Sequence, residues 1–424
     1  MKKIIVPLLL LLCLNLSARH IWLETENFSD KGGWVLDQQF MDIMGSPYLM
    51  AHGMGTPVQD ASTTIDVPEQ GQWHVYVRTF NWTSPWSSQE GPGAFRVKVG
   101  GKMLKTVLGT KGNEWMWQYA GKVSLKAGKT EIALSDVTGF NGRCDAVLLT
   151  TDPALVPPSD VSDLETFRRE MLALPAPQTK EYEMVVVGGG IAGMCAAVTA
   201  ARLGCKVALV NDRPVLGGNN SAEVRVHLGG HVEIGPNKGL GRMIREFGHT
   251  VEGNAQPASV YEDEKKQAFV DAEKNIDLYP CFRAVEVRKD GDRIAAVLVR
   301  HIETSQEIWL SAPLFSDCTG DGTVGYLAGA HWRMGREARD EFNESLAPEV
   351  ADKMTMGASV QWYSKENPKK TPFPEFSYGL VFNDDNELVK VGETGELCVR
   401  GTGVALGYYN NKEKTQEVFV QNPL

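Results

Sequence analysis

The sequence predicts a multidomain chain: an N-terminal antiparallel β-sandwich, followed by an α/β domain on a parallel sheet that is incomplete toward its C-terminus. Three observations predict this. Residues 19–152 carry short alternating runs (Trp73 to Val77, Phe95 to Val99, Val123 to Leu125, Glu131 to Leu134, Ala146 to Leu149) divided by turn residues such as Gly100-Gly101 and Gly128, the pattern of half-buried antiparallel strands. A proline-rich stretch from Pro153 to Pro158, a helical pattern from Leu164 to Leu174 and then Pro175-Ala176-Pro177 read as a linker over 153–180. From Glu181 onward the pattern becomes buried strand, glycine-rich turn and helix.

The chain has 424 residues, 42% hydrophobic and 23% charged, which is ordinary for a folded domain and long enough for two or three of them. Its formal net charge of -10 argues against nucleic acid or an anionic membrane surface as partner, since both require a basic face. Lys2 and Lys3, the apolar run Ile4 to Leu14 and then Leu16-Ser17-Ala18 have the form of a signal peptide over residues 1–18. The apolar run is too short for a stable spanning helix. Export to a periplasmic or extracellular location is therefore expected, with no membrane span in the mature chain. Seven cysteines show no metal spacing and no C-x-x-C pair. Buried free thiols are the simplest expectation, with a disulfide open in an oxidising compartment.

The α/β segment opens on Met184-Val185-Val186-Val187, apolar on both faces as a central parallel strand must be. Gly188, Gly190 and Gly193 follow at G-x-G-x-x-G spacing, a helix is expected from Ala192 to Leu203 with Gly204 as its stop, and Cys205 to Val210 is a second strand. The physics of this Rossmann-type unit is specific. The first glycine permits the tight turn, the second admits a pyrophosphate, and the third lets helix pack on strand, with the helix N-terminus facing the phosphates.

On these residues, 181–386 resembles the FAD-dependent oxidoreductases of the glutathione-reductase-like group. More narrowly it is similar to an exported bacterial family, often labelled xanthan-lyase-related, in which such a domain follows a carbohydrate-binding-like one. The resemblance implies FAD as cofactor. It implies that Arg213, Gly217 and Gly218 pack near the pyrophosphate, that Ala284 and Val285 lie on a strand whose backbone meets adenine, and that Thr319, Gly320 and Asp321 close the far side of the dinucleotide. Family members commonly end the second strand on a ribose-binding glutamate. Asn211 stands in that place here, with Asp212 next as a substitute. Glu223, Arg225 and His227 would share one face of an extended segment. Arg225 is then a candidate anion anchor and His227 a candidate base or flavin attachment point, against the alternative of a satisfied structural histidine.

Residues 19–152 resemble galactose-binding-like jelly rolls that serve as carbohydrate-binding modules. The match lies in Trp22 to Phe28 and in Gly142 to Leu148. It implies a structural calcium held by Glu24, Glu26 and Asp145. Glu24 and Glu26 would face one side of a strand, where like charges repel unless a cation neutralises them; a solvated acidic strand is the alternative. Trp82 and Trp86 in a loop, and Trp115 and Trp117 on one strand face, are candidates for stacking on sugar rings or for ordinary core packing.

Residues 387–424 carry a different resemblance, to a fragment of adenylate-forming (AMP-binding) enzymes, in Val391 to Gly401 and Gly407 to Thr415. No phosphate loop precedes it, so no ATP site is expected. The flavin-type domain is expected to be truncated where this segment begins, leaving any bound flavin exposed. Few contacts are expected between this segment and the preceding domain. The functional expectation is an exported FAD-dependent oxidoreductase with a sugar, glycan-derived or other small-molecule substrate. The alternatives are a non-catalytic carbohydrate-binding protein with a remnant flavin domain, or a chimeric or truncated gene product.

Overall fold

The computed structural model describes residues 18–85, 87–229, 241–248 and 253–355, a few single positions between 233 and 239, and two dipeptides near the C-terminus. The chain divides into two compact units, Met1–Pro177 with His301–Glu307, and Gln178–Arg300 with Ile308–Leu424. Among the described residues no helix is long and apolar enough to cross a membrane.

The first unit contains β1 (His20–Glu24), β2 (Val35–Asp37), the one-turn α1 (Met41–Met44), β3 (Tyr48–His52), β4 (Ala61–Val67), β5 (Gly71–Thr79), β6 (Phe95–Val99), β7 (Lys102–Met103), β8 (Met116–Leu125), β9 (Gly128–Asp136) and β10 (Phe140–Thr150). Two sheets form: β2-β3-β10-β5-β8 with β1 added on β10, and β4-β9-β6-β7. The alternation visible in the sequence is the alternation of burial. In β5, Trp73, Val75 and Val77 are fully buried, and in β6 so are Phe95 and Val97. These residues belong to one core with Leu49, Ile132, Leu134, Val147 and Leu149, contributed by both sheets, as a sandwich requires.

The predicted linker is more ordered than expected. Asp160 accepts hydrogen bonds from Ser162 N and Asp163 N and so starts α2 (Val161–Leu172) three residues before the apolar pattern. Leu164 is buried with Trp22, Ala146 and Leu148, which makes α2 part of the first unit.

In the second unit the expected strand, turn and helix appear as β11 (Gln178–Glu181), β12 (Met184–Val187), α3 (Ile191–Arg202) and β13 (Val207–Asn211). They are followed by α4 (Gly241–Phe247), α5 (Asp263–Asp271), β14 (Ile276–Pro280), β15 (Phe282–Asp290), β16 (Arg293–His301), β17 (Glu307–Ser311), β18 (Leu314–Asp317), α6 (Thr323–Leu327) and α7 (Arg339–Phe342). The order β14-β13-β12-β18 makes a four-stranded sheet in which β13 and β18 flank β12 in parallel and β14 runs parallel to β13. A second sheet has the order β11-β17-β16-β15. Val185 and Val187 face one core and Val186 another, the latter shared with Met194, Ala197 and Val198 of α3.

Among the described residues Cys144, Cys195, Cys205 and Cys318 are free thiols, as expected, but of these only Cys144 is buried. Cys398 lies outside the described residues. Val381–Phe382 pairs antiparallel with Glu396–Leu397, one short contact across the boundary placed at 386/387. The rest of 387–424 lies outside the described residues.

Candidate cofactor site

The second unit holds a cleft of about 620 Å³ over the C-terminal ends of β12 and β13, within the range of small-molecule and cofactor sites. Its lining includes Gly188 to Ala192, Asn211 to Arg213, Gly217 to Ser221, Phe282 to Ala284 and Cys318 to Asp321. Thus Gly188, Gly190, Asn211, Asp212, Arg213, Gly217, Gly218, Ala284, Thr319, Gly320 and Asp321, scattered over more than a hundred positions, meet at one place.

Each glycine of the motif has its own reason. Gly188 has φ +109°, and a Cβ there would stand 2.1 Å from Cys318 O. A Cβ on Gly193 would stand 1.8 Å from Gly188 O, so helix and turn touch as backbones, and Gly193 stays behind the cleft wall. Gly190 differs: its nearest neighbour would be Gly218 Cα at 3.9 Å, which means that the space beside it is the cleft itself. Gly190 also caps α3 without any side-chain hydrogen bond, leaving the first N–H groups of the helix for a ligand.

A second glycine turn, Gly217-Gly218, docks on the first. Gly217 N donates to Gly189 O at 2.9 Å, and Gly190 and Gly217 form a parallel bridge. Gly189, an unspecified position of the motif, is required too, because a Cβ there would lie 2.6 Å from Asn211 Cγ.

Asn211 does not have the role expected of it. Its Oδ1 accepts from Gly189 N at 3.2 Å, and its Nδ2 donates to Arg213 O and Val215 O at 2.8 and 2.9 Å. The amide is consumed in bracing the glycine turn, which leaves Asp212, also on the cleft wall, as the ribose candidate. Strand alternation turns the Val285 side chain away from the cleft, toward Ala296, Leu298 and Trp309, so only Ala284 of the expected pair lines it. On the far wall, partial burial opposes the charge of Asp317. Bonds from Gly325 N, Thr319 N and the Thr319 hydroxyl outweigh burial and hold this carboxyl below its usual range, fixing the Thr319 turn.

The segment after the second turn is not extended. Arg225 has φ +62° and its Nε donates to Ala222 O at 2.8 Å, so Glu223, Arg225 and His227 do not share a face. Glu223 lines the cleft 3.5 Å from Arg213 Nη1, whereas Arg225 is outside it, which removes Arg225 as an anion anchor there. His227 does line the cleft. Asn254 Oδ1 accepts from His227 N at 3.0 Å and lies 2.6 Å from His227 Nδ1. An amide oxygen can only accept, so Nδ1 carries a proton, and in the neutral ring the lone pair is on Nε2.

The description FAD dependent oxidoreductase matches residues 183–406, more than half of the chain. The chain belongs to this family. The match runs past residue 386. Over a short stretch the chain is also similar to Delta-poly-L-ornithine synthetase of Acinetobacter baumannii, 40% identical over 70 residues, which are 16% of this chain and 5% of that protein. Among solved structures, a family 35 carbohydrate binding module from Clostridium thermocellum aligns with 31% of this chain and 97% of its own at 17% identity and TM-score 0.26. A geranylgeranyl bacteriochlorophyll reductase-like protein from Thermoplasma acidophilum aligns with 36% of this chain and 43% of its own at 20% identity and TM-score 0.24.

In the first unit of this FAD dependent oxidoreductase family member, Glu24, Glu26 and Asp145 influence one another's charge but are not set out as the expected three-carboxylate calcium site. Glu24 ends β1 and Glu26 sits in the 3-10 turn Thr25–Asn27, so the two do not alternate along a strand. All three acids are buried. Glu24 is satisfied: Oε1 accepts from Arg168 Nε at 2.8 Å and Trp22 Nε1 at 2.6 Å, and Oε2 from Ser46 Oγ at 2.6 Å. Asp145 Oδ2 accepts from Arg78 Nη1 at 2.9 Å. Both Glu26 oxygens and Asp145 Oδ1 are buried and accept from no N–H or hydroxyl donor, while the Glu26 carboxyl can share a proton with that of Glu24. Burial and then the charges of Glu24 and Asp145 push Glu26 well above the usual carboxylate range. Among the described residues no group of three or more His, Cys, Asp or Glu side chains is set out as a metal cage.

Trp115 is a core residue, and Trp117 is half-buried. Trp115 is buried among Phe40, Tyr48 and Phe80, and Trp117 packs on Trp22 and donates to Pro158 O. Trp82 lies in its predicted loop and donates to Phe140 O at 3.0 Å; Trp86 is outside the described residues. A polar cleft of about 640 Å³ opens beside that loop, lined by Asn81, Ser84, Gln89, Glu90, Lys111 and Asn113 among others.

Proposed function

We propose that the chain binds FAD in the cleft of its second unit and acts as an exported oxidoreductase on a sugar or glycan-derived substrate. The observation that carries the cofactor assignment is the double glycine turn set against the uncapped N-terminus of α3. Two backbones meet there with no side chain between them, and free N–H groups face a gap beside Gly190. Gly188, Gly190, Gly217 and Gly218 would hold the pyrophosphate, Asp212 the adenosine ribose, Ala284 the adenine end, and Thr319 to Asp321 the opposite wall. When bound, FAD supplies hydride acceptance. The chain's part is to hold the cofactor, exclude side chains from the phosphates, and place the basic Nε2 of His227 at the wall of the cleft, where it can take a proton from a substrate hydroxyl.

The sugar reading rests on the polar cleft beside Trp82 in the first unit. The test is spectroscopic. Purified full chain given FAD should show a perturbed flavin absorbance spectrum, and an oxidisable sugar should bleach it under anaerobic conditions. A spectrum identical to that of free FAD would remove the cofactor assignment. Unbleached bound flavin across a panel of sugars and uronic acids would remove the substrate class. His227→Asn should retain flavin and lower the bleaching rate about a hundredfold, the lower end for a positioned general base; an unchanged rate would exclude His227 as base.

We also read Glu26 and Asp145 as a cation site completed by backbone carbonyls, with calcium as the fitting ion because only oxygens are offered. Glu26 is raised, so in metal-free protein its contribution to stability is full below the ordinary value of 4.5 and falls as pH rises above it. Calcium should therefore raise the Tm of the full chain, and more so at higher pH. Glu26→Gln should abolish the response. An equal Tm with calcium and with chelator at every pH would end this reading.

A further inference from the structure

We infer that Lys266 is a positioning residue for the cleft wall: a buried ammonium that ties together the three points from which segment 217–226 hangs. The inference rests on the FAD reading for its functional consequence, but its geometry stands apart from it. Lys266, four positions into α5, is fully buried, a place a lysine occupies only when its charge has partners. Its Nζ donates to Tyr261 O and lies 3.5 Å from Asp263 Oδ1.

Each partner reaches the wall. The Asp263 carboxylate accepts the Ala222 amide with both oxygens, at 3.2 and 3.0 Å. The Tyr261 hydroxyl donates to Arg225 O at 2.5 Å, on the residue with the left-handed backbone. The Lys266 stem itself abuts the second glycine turn, since a Cβ on Gly217 would stand 2.8 Å from Lys266 Cδ. One short stretch, 261–266, thus fixes the wall at Gly217, Ala222 and Arg225, and the ammonium neutralises Asp263 while anchoring the Tyr261 carbonyl. A wall held at three points keeps the second glycine turn on the first before any ligand arrives, and such pre-organisation is a source of affinity.

The experiment is carried out on the full chain with two readouts: hydrogen exchange of the backbone amides over 217–226 without flavin, and the Kd for FAD. Lys266→Ala should speed exchange across this segment and weaken FAD about tenfold to a hundredfold, the equivalent of stranding one buried hydrogen-bond partner. Lys266→Met, which keeps the stem against Gly217 but not the bonds, should recover part of both. Lys265→Met, on the exposed neighbour, should match wild type. If Lys266→Ala does not fold, Asp263→Ala carries the test, with faster exchange expected at Ala222 and weaker FAD binding. Wild-type exchange and wild-type affinity in the substituted proteins would overturn the inference while leaving the cofactor reading intact. Faster exchange in a chain whose wild type binds no FAD would uphold the strut and overturn the cofactor reading instead.

Discussion

Replacing Gly190 with valine should leave the protein folded and strip it of flavin. Space decides both halves of this expectation. A Cβ at Gly190 meets nothing closer than 3.9 Å, and its φ of -68° is one that any residue adopts, so the fold accommodates a Cβ there. The space it would occupy is the gap between the two glycine turns, where the pyrophosphate must approach the backbone. Losing that approach should weaken FAD by about a hundredfold or more, the equivalent of two charge-assisted hydrogen bonds. Gly193→Val is the counterpart. Its Cβ would lie 1.8 Å from Gly188 O, so α3 must move off β12 at a cost of about 1–3 kcal/mol or more. Far-UV circular dichroism with flavin retention separates the two. Gly190→Val should lose flavin with an unchanged melting curve, and Gly193→Val should lose stability first. A Gly190→Val protein that keeps its flavin would show that the cleft is not where the cofactor sits.

The second large effect is expected from Arg168→Met. The Arg168 guanidinium and the Glu24 carboxylate are 1% and 2% exposed and 2.8 Å apart. Removing the arginine strands a buried charge, and breaking such a pair costs about 3–5 kcal/mol. The pH dependence has a definite sign. Burial opposes the Glu24 charge, but Arg168 and the Ser46 hydroxyl outweigh it and hold this carboxyl below its usual value of 4.5. The pair's contribution is therefore full above 4.5 and is lost as pH falls through the lower folded value. The gap between wild type and Arg168→Met should be widest near neutral pH and close in acid, where Glu24 is protonated in both. Lys111→Met is the control: its ion pair with Glu90 is 70% exposed on both sides, and its loss should cost about 0–1 kcal/mol. Urea unfolding followed by tryptophan fluorescence, repeated across pH, measures all three. A pH-independent gap would mean that Arg168 acts through packing alone.

Periodicity and glycine spacing were enough to find most of the architecture. β6 matches its alternating run residue for residue, and α3 falls within one residue of the predicted helix at each end, because burial imposes a period and the glycine turn fixes where helix and strand meet. What the sequence hid was long-range pairing of polar side chains. Asn211 looks like a ribose ligand until Gly189, Arg213 and Val215 are seen to claim its amide. Glu24 looks like a metal ligand until Arg168, 144 positions away, is seen against it. Extended geometry was assumed for 223–227, but Arg225 adopts a left-handed backbone that local sequence does not announce, since it is imposed by bonds from Ala255 N and the Tyr261 hydroxyl to its carbonyl. Lys266 carried no signal at all, because a lysine in a short helix ordinarily faces water.

The cleft beside the two glycine turns should recognise a dinucleotide rather than a flavin ring alone. It is tested most directly by titrating the folded full chain with FAD and, separately, with riboflavin, following the quenching or shift of flavin fluorescence. Saturable binding of one FAD per chain is expected, with binding of riboflavin too weak to saturate, because riboflavin has no pyrophosphate for the turns and no adenosine for the wall at Ala284. No saturable binding of FAD, or equal binding of the two, would contradict it.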